Sequence, residues 1–319
     1  MSKIRWTPAM ETGIPYVDAD HRVLVGLLNQ VEDNIAAFEE TATLGSVLNA
    51  LNDYTVYHFA REEAMLVACG YAEIDEHRNT HARISGQVAE ITRKFRQDSA
   101  SVEGREVRDF LQQWLVEHIQ TEDFGYLKTC LASPKAVANA EAIQFTESLG
   151  VRNPGFAHMR VQVVEDNPQF RAFLASILKA FGVKDVSLAA SGEEALDRWT
   201  RRPGDKVICD WLMDGMPGHA FAAAIRTVSP KALIIALSGL AADQVLNQAG
   251  AETLDAVLEK PISPAALAHA LIGAGQDSLA GSSSVPGSSS VGAAAGAFGA
   301  RTSSSRALGK TAWTALTKG

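Results

Sequence analysis

The chain has 319 residues, formal net charge -8 and three cysteines. That length exceeds what one hydrophobic core usually organises, so it predicts two domains with connecting segments. The acidic balance, with no long cluster of Lys and Arg, excludes a nucleic-acid-binding surface. Cys69, Cys130 and Cys209 lie far apart with no metal-type spacing and read as free thiols of a reducing compartment, hence a cytoplasmic protein. The first residues lack the apolar core of a signal peptide. The longest apolar run, Ala232 to Ala242, is too short to span a bilayer, so no membrane association is expected.

In chain order, apolar residues recur at helical spacing over four stretches, about 19–40, 44–69, 72–97 and 104–131. The breaks Thr41 to Thr43, Cys69 to Tyr71 and Gln97 to Glu103 are short, which makes neighbouring helices antiparallel and predicts an up-down four-helix bundle over residues 1–135. Residues 136–157 read as a linker. In it AVANAEAIQF offers an extension of the last bundle helix, and Gly150 to Gly155 form a breaker run. From Met159 short β-branched runs alternate with helical ones, predicting a parallel-sheet α/β domain over residues 158–275. Residues 276–319 are rich in Ser, Gly and Ala, too poor in large apolar groups to offset ordering entropy, and are expected to be disordered apart from a short helical end at 309–317.

Five of the eight histidines and two carboxylates are shared among the four predicted helices: His21; His58 with Glu62; His77 with His81; His118 with Asp123. The first two pairs are four residues apart, so both members project from one helix face. The last pair is five apart, about 140° around an ideal helix, and needs a π-type turn to converge. Imidazole suits iron, copper or zinc, and a carboxylate can bridge two cations and cancel part of their repulsion. Seven donors are too many for one metal, so the set predicts two ions with a vacancy for a small molecule such as oxygen.

The motifs Trp6, GIPYVDADH ending at His21, HFAREE from His58, HRNTH from His77 and WLVEHIQTED ending at Asp123 resemble the hemerythrins, specifically their bacterial single-domain and fused forms. The resemblance covers residues 6–130. It implies a di-iron site in which His77, His81 and His118 hold one iron, His21 and His58 hold the other, Glu62 and Asp123 bridge, and oxygen binds at the iron with two histidines. Fewer anionic donors than in a ferritin-like site should favour reversible oxygen binding over oxygen activation. Leu115, one turn before His118, is expected either to give the oxygen pocket an apolar wall or to be simply part of the bundle core.

In the second half, VQVV ends in Glu165-Asp166 and KVIC ends in Asp210, which gathers three carboxylates at the carboxyl ends of parallel strands, where ligands bind. Magnesium, a hard cation that prefers oxygen donors, would hold such a cluster and let Asp210 attack a phosphoryl group. Ser238 after LIIAL and Lys260 after AVLE can each bind a phosphoryl oxygen. The motifs VVEDN, ICDWLMDGMPG, ALSG and EKPIS resemble the receiver domains of two-component response regulators over residues 159–273. That resemblance implies a flavodoxin-like (βα)5 fold, Mg2+ on Glu165, Asp166 and Asp210, phosphorylation of Asp210, a switch hydroxyl at Ser238 and phosphate contact by Lys260. Met213, Pro217 and Gly218 fit the loop after the phosphoacceptor. Val257 stands where the family usually has a switching aromatic, and Asp214 where it often has proline.

The two resemblances together imply an oxygen- or redox-sensing signalling protein. Its di-iron site would bind O2 reversibly and be coupled to a phosphorelay fed by a histidine kinase or phosphotransfer protein. The alternative is an oxygen carrier or scavenger recruited to a signalling complex by its receiver. In either case the chain is expected to be a phosphoacceptor capable of autodephosphorylation, not a dedicated enzyme.

Overall fold

Leu24, Leu27, Leu28 and Val31 are all buried and recur at the i, i+3, i+4, i+7 spacing of a helix with one apolar stripe. In the computed structural model, which describes residues 3–37, 41–99, 102, 104–152 and 154–273, they lie on α1 (Pro15–Ala37). The bundle continues with α2 (Thr41–Cys69), α3 (Ile74–Gln97) and α4 (Gly104–His118). A π-helical turn (Ile119–Asp123) then leads into α5 (Phe124–Leu131). On α3 the buried residues His77, His81, Ile84, Val88, Thr92 and Phe95 form a single stripe, so the metal-type histidines are in register with the core. Gly70, at φ 70, closes α2: its N–H donates to Val67 O and that of Tyr71 to Leu66 O, the paired bonds that reverse a chain after a helix.

The expected helical extension of the bundle into the linker does not occur. The chain turns at Ser133, whose N–H donates to Cys130 O, and Pro134, which lacks an N–H, opens a separate helix. This α6 (Pro134–Glu141) folds back on α2, and the short α7 (Phe145–Ser148) follows. Ala136, Ala140, Phe145, Val151 and Phe156 are buried, so the segment read as a linker is part of the core.

Five parallel strands follow: β1 (Arg160–Val164), β2 (Asp185–Ala189), β3 (Lys206–Asp210), β4 (Leu233–Ser238) and β5 (Ala256–Glu259), in the order β2-β1-β3-β4-β5. The helices between and after them are α8 (Pro168–Ala180), α9 (Gly192–Arg201), α10 (Gly218–Val228), α11 (Ala242–Leu246) and α12 (Pro264–Leu271). The side chains of Asn167, Ser191 and Ser263 accept N–H bonds from the first turns of α8, α9 and α12. The strand order sets β1 beside β3, so the chain reverses direction of growth there and opens a crevice at their carboxyl ends.

Bundle and receiver pack against each other. Helices α1 and α2 contact α8, α12 contacts α2, and one apolar cluster runs from Leu24 and Leu51 to Phe173, Phe181 and Leu267. Phe145 bridges the halves, its ring 4.9 Å from Tyr54 and 5.9 Å from Phe181. Gln30 Nε2 donates to Ser176 Oγ at 2.8 Å. Among the described residues no helix is long and apolar enough to cross a membrane. The expected disordered tail lies outside the described residues.

Candidate metal centre and phosphoacceptor cluster

The four bundle helices bring all seven histidine and carboxylate donors into one buried space, each at most 4% exposed. The five-residue step from His118 to Asp123 is accommodated by the π-helical turn, which winds the helix one residue further so that both side chains face inward. Each carboxylate sits between two groups of histidines. Asp123 has Oδ2 3.2 Å from His21 Nε2 and Oδ1 3.1 Å from His118 Nε2. Glu62 Oε2 lies 3.7 Å from His58 Nε2, 3.7 Å from His77 Nε2 and 3.4 Å from His81 Nε2. His21 and His58 are neighbours, with ring centroids 4.7 Å apart, and His81 Nε2 faces His118 Nε2 at 3.3 Å.

A cation fits this space. Both ring nitrogens of His21 and His58, Nε2 of His77 and all four carboxylate oxygens of Glu62 and Asp123 are buried without a hydrogen-bond partner. Each such atom ordinarily costs about 1–3 kcal/mol, and the Nε2 atoms of His21, His58 and His77 gathered with the four carboxylate oxygens are what a metal site requires. Glu62, His77, His81 and His118 alone place one donor atom each within 4.8 Å of one another.

Around the donors stands a shell that sequence reasoning did not single out. Asp20 Oδ2 lies 3.5 Å from His58 Nδ1, and Asp20 itself accepts from Arg61 and from the Tyr54 hydroxyl. Glu63 Oε1 is 2.9 Å from His81 Nδ1, and Glu122 Oε2 is 3.6 Å from His118 Nδ1. Such outer carboxylates fix the tautomer of a ligating imidazole and turn its other nitrogen inward. Phe59 stacks on His81 at 3.7 Å, and Trp114 stacks on His118 at 5.4 Å. The only sequence signal for the shell was an acidic residue beside each of three metal-type residues, a pattern that exposed helix faces share.

Electrostatics in the space are strongly coupled. Burial works against charge on His118, but Asp123 and Glu122 override it and push its pKa up to about 10. Burial would raise Glu62, yet contacts from His77 and His81 hold it well below the usual carboxylate range. His58 is lowered, by burial first. The buried hydroxyl of Tyr126 is pushed well up by burial and by the charge of Glu62.

At the sheet edge, Glu165, Asp166 and Asp210 offer oxygen donors within 4.8 Å of one another. Glu165 and Asp210 are buried and Asp166 is exposed. Lys260 Nζ reaches both buried acids, at 3.0 Å from Glu165 Oε2 and 2.9 Å from Asp210 Oδ2, and lies 4.3 Å from the Phe170 ring centroid. Burial, with Asp210 nearby, pushes Glu165 up to about 8 despite Lys260. The Ser238 hydroxyl is buried and accepts from Leu240 N–H at 3.0 Å. Gly218 must be glycine, because a Cβ there would lie 2.5 Å from Asp210 O and 2.8 Å from Trp211 Cα. Trp211, which sequence reasoning passed over, is buried against Val257, Ala236 and Val245 and donates from Nε1 to Gln248 Oε1 at 2.7 Å. Its indole packs against Val257, where the expected aromatic is missing.

Comparison with known proteins finds two family matches in the chain. Residues 12–130 match the hemerythrin HHE cation binding domain, and residues 161–272 match the response regulator receiver domain. A bacteriohemerythrin of Methylococcus capsulatus is 33% identical over 127 residues, covering 40% of this chain and 95% of that protein. A response regulator receiver protein of Anaeromyxobacter sp. is 34% identical over 104 residues, covering 33% of this chain and 43% of that protein. Among solved structures, wild-type hemerythrin is 31% identical with TM-score 0.38, covering 40% of this chain and 98% of that one. The chemotaxis protein CheY4 of Vibrio cholerae is 28% identical with TM-score 0.34, covering 36% and 96%.

Proposed function

The chain belongs to the hemerythrin family, its bundle followed by a response regulator receiver domain, and from that premise we propose that it is an oxygen- or redox-sensing signalling protein in which the metal centre is coupled to phosphorylation of Asp210. One observation carries the reading: α2 holds His58 and Glu62, and the same helix packs against α8 and α12 of the receiver. A change at either site therefore acts on a shared element.

In this reading His77, His81 and His118 would hold one iron, His21 and His58 the other, and Glu62 and Asp123 would be shared between them. The iron pair supplies the redox chemistry of reversible oxygen binding. The chain's own residues prepare for it. Glu63 holds His81 Nδ1 at 2.9 Å and so turns the Nε2 lone pair inward. Leu115 and Ile119, both fully buried, keep water from the bundle interior. In the receiver, Glu165, Asp166 and Asp210 would hold Mg2+, which would offset their charge, and Asp210 would take a phosphoryl group from a histidine kinase, a phosphotransfer protein or a small acyl phosphate. Ser238 and Lys260 then bind phosphoryl oxygens. The partners are O2 and the phosphodonor, in the cytoplasm, and the chain serves as phosphoacceptor, not as a dedicated enzyme.

The reading is tested on the purified full-length protein by metal analysis, by its absorption spectrum reduced and then exposed to air, and by labelling with acyl phosphate and Mg2+. Two irons per chain, an oxygen-dependent band and a label on Asp210 are expected. One zinc per chain, no such band, or a label that persists in Asp210→Asn would overturn it.

A further inference from the structure

Lys260 touches the phosphoacceptor and also stands next to a segment gripped by the bundle. Its ammonium pairs with Asp210 Oδ2 at 2.9 Å, and two residues on, Ile262 is held by α2 at both its backbone groups. The N–H of Ile262 donates to Ser46 Oγ at 3.0 Å, and its carbonyl accepts from Asn49 Nδ2 at 3.1 Å. Ser46, Asn49 and Ile262 are all buried, so these bonds are shielded from water and geometrically strict. Between them, Pro261 packs so close to Gly45 that a Cβ on that glycine would lie 3.0 Å from Pro261 Cβ and 3.2 Å from Phe95 Cε1.

The grip reaches both metal-bearing helices. Asn49 Oδ1 accepts from Arg96 Nε at 3.1 Å and Nη2 at 2.7 Å, and Arg96 lies on α3, which carries His77 and His81. Asn49 lies on α2, which carries His58 and Glu62 about 14–20 Å further along its axis. A packed helix passes on displacement of this kind because close-packed interiors move as discrete arrangements, not by continuous deformation.

We propose that Ser46, Asn49 and Ile262 form the clasp through which phosphorylation of Asp210 alters the metal centre, a regulation that rests on the function proposed above. In the transfer, an Asp210 carboxylate oxygen forms a bond to phosphorus, the bond from phosphorus to the acyl oxygen breaks, and the carboxylate of the donor leaves. The charge of the new phosphoryl group draws Lys260 away from its present position between Glu165 and Asp210. Pro261 and Ile262 follow as its chain neighbours. The clasp then transfers the shift to α2 and, through Asn49 and Arg96, to α3. The turn at Ser133 and Pro134 rules out a continuous helix from His118 and Asp123 into the receiver, and of the contacts between the halves the clasp is the one that adjoins Lys260 in the chain.

The test uses the iron-loaded full-length protein with Ser46→Ala and Asn49→Asp combined. The first change removes the acceptor for Ile262 N–H. The second removes the donor to Ile262 O while leaving an oxygen for Arg96. Oxygen half-saturation is measured with and without acetyl phosphate and Mg2+, beside iron content and the extent of Asp210 labelling. The wild type is expected to shift about fivefold or more. The double variant, with the same iron and label, is expected to shift less than about twofold. A full shift in the double variant would overturn the clasp alone, and no shift in the wild type would overturn the coupling itself and the clasp with it. Hydrogen exchange of the wild type gives a reading that needs no variant. Protection at the Ile262 amide must change on phosphorylation, and an unchanged amide would overturn the proposal.

Discussion

Arg61 donates from Nη1 to both carboxylate oxygens of Asp20 at 3.0 Å, and the acid it holds lies beside His58 Nδ1. The same guanidinium donates from Nε to Ala140 O at 2.7 Å and from Nη2 to Glu141 O at 2.6 Å, satisfying carbonyls at the end of α6, and covers the Tyr16 ring at 4.2 Å. One side chain thus ties the outer shell of the metal centre to the segment leading into the receiver.

Removing it leaves a buried acid without its cation. Arg61→Ala is expected to lower stability by about 3–5 kcal/mol, because both partners are nearly excluded from solvent. Arg61→Lys should recover only part, since an ammonium cannot serve Asp20 and two carbonyls in one plane. Chemical denaturation of the three proteins checks this.

Replacing a bridging acid tests the metal assignment. Glu62→Gln or Asp123→Asn removes the shared anion between two cations, and iron is expected to fall to one per chain or fewer. Metal analysis of purified variants that still melt cooperatively reads the result, and two tightly held irons in Glu62→Gln would assign the bridge elsewhere.

At the phosphoacceptor, Asp210→Asn should accept no label. Lys260→Ala should weaken the response to phosphorylation more than Ser238→Ala weakens acceptance, since the lost ammonium leaves phosphoryl charge uncompensated. Trp211 directly follows Asp210 and is buried against Val257, so the part of the fluorescence change that is lost in Trp211→Phe reports the event locally.

The raised pKa of Glu165 gives the receiver a pH dependence. Its value in the fold, about 8, lies above its ordinary 4.5, so the fold binds this proton more tightly than the unfolded chain does. That contribution to stability is full below 4.5 and is lost as pH rises through 8. Magnesium must displace the same proton, so its affinity should rise by up to about tenfold per pH unit toward 8 and level off above. Calorimetric titration with Mg2+ at several pH values, in buffers of different ionisation heat, measures both the affinity and the proton released.

Much of this arrangement was legible because it follows local periodicity. The four helical stretches, the four-residue steps of His58 with Glu62 and His77 with His81, and the need for a π-type turn before Asp123 all follow from helix pitch. The strands that lead to Glu165, Asp210, Ser238 and Lys260 were legible for a different reason, because their β-branched runs are short and cleanly bounded. What was not legible depends on tertiary contact. Ser46 and Asn49 look like ordinary polar residues of a helix, and only the docked receiver makes them partners of Ile262. AVANAEAIQF looks like a continuation of the bundle until Pro134 is weighed as a helix start. Trp211 carries no signal that it would occupy the space beside Val257.

The most direct test of the account is an oxygen titration of the reduced, iron-loaded protein before and after phosphorylation by acetyl phosphate and Mg2+, with Asp210→Asn as control. Coupling predicts that half-saturation moves by about fivefold or more in the wild type and stays fixed in the control. Superimposable curves at full iron content and full labelling would contradict it and leave two independent modules sharing one chain.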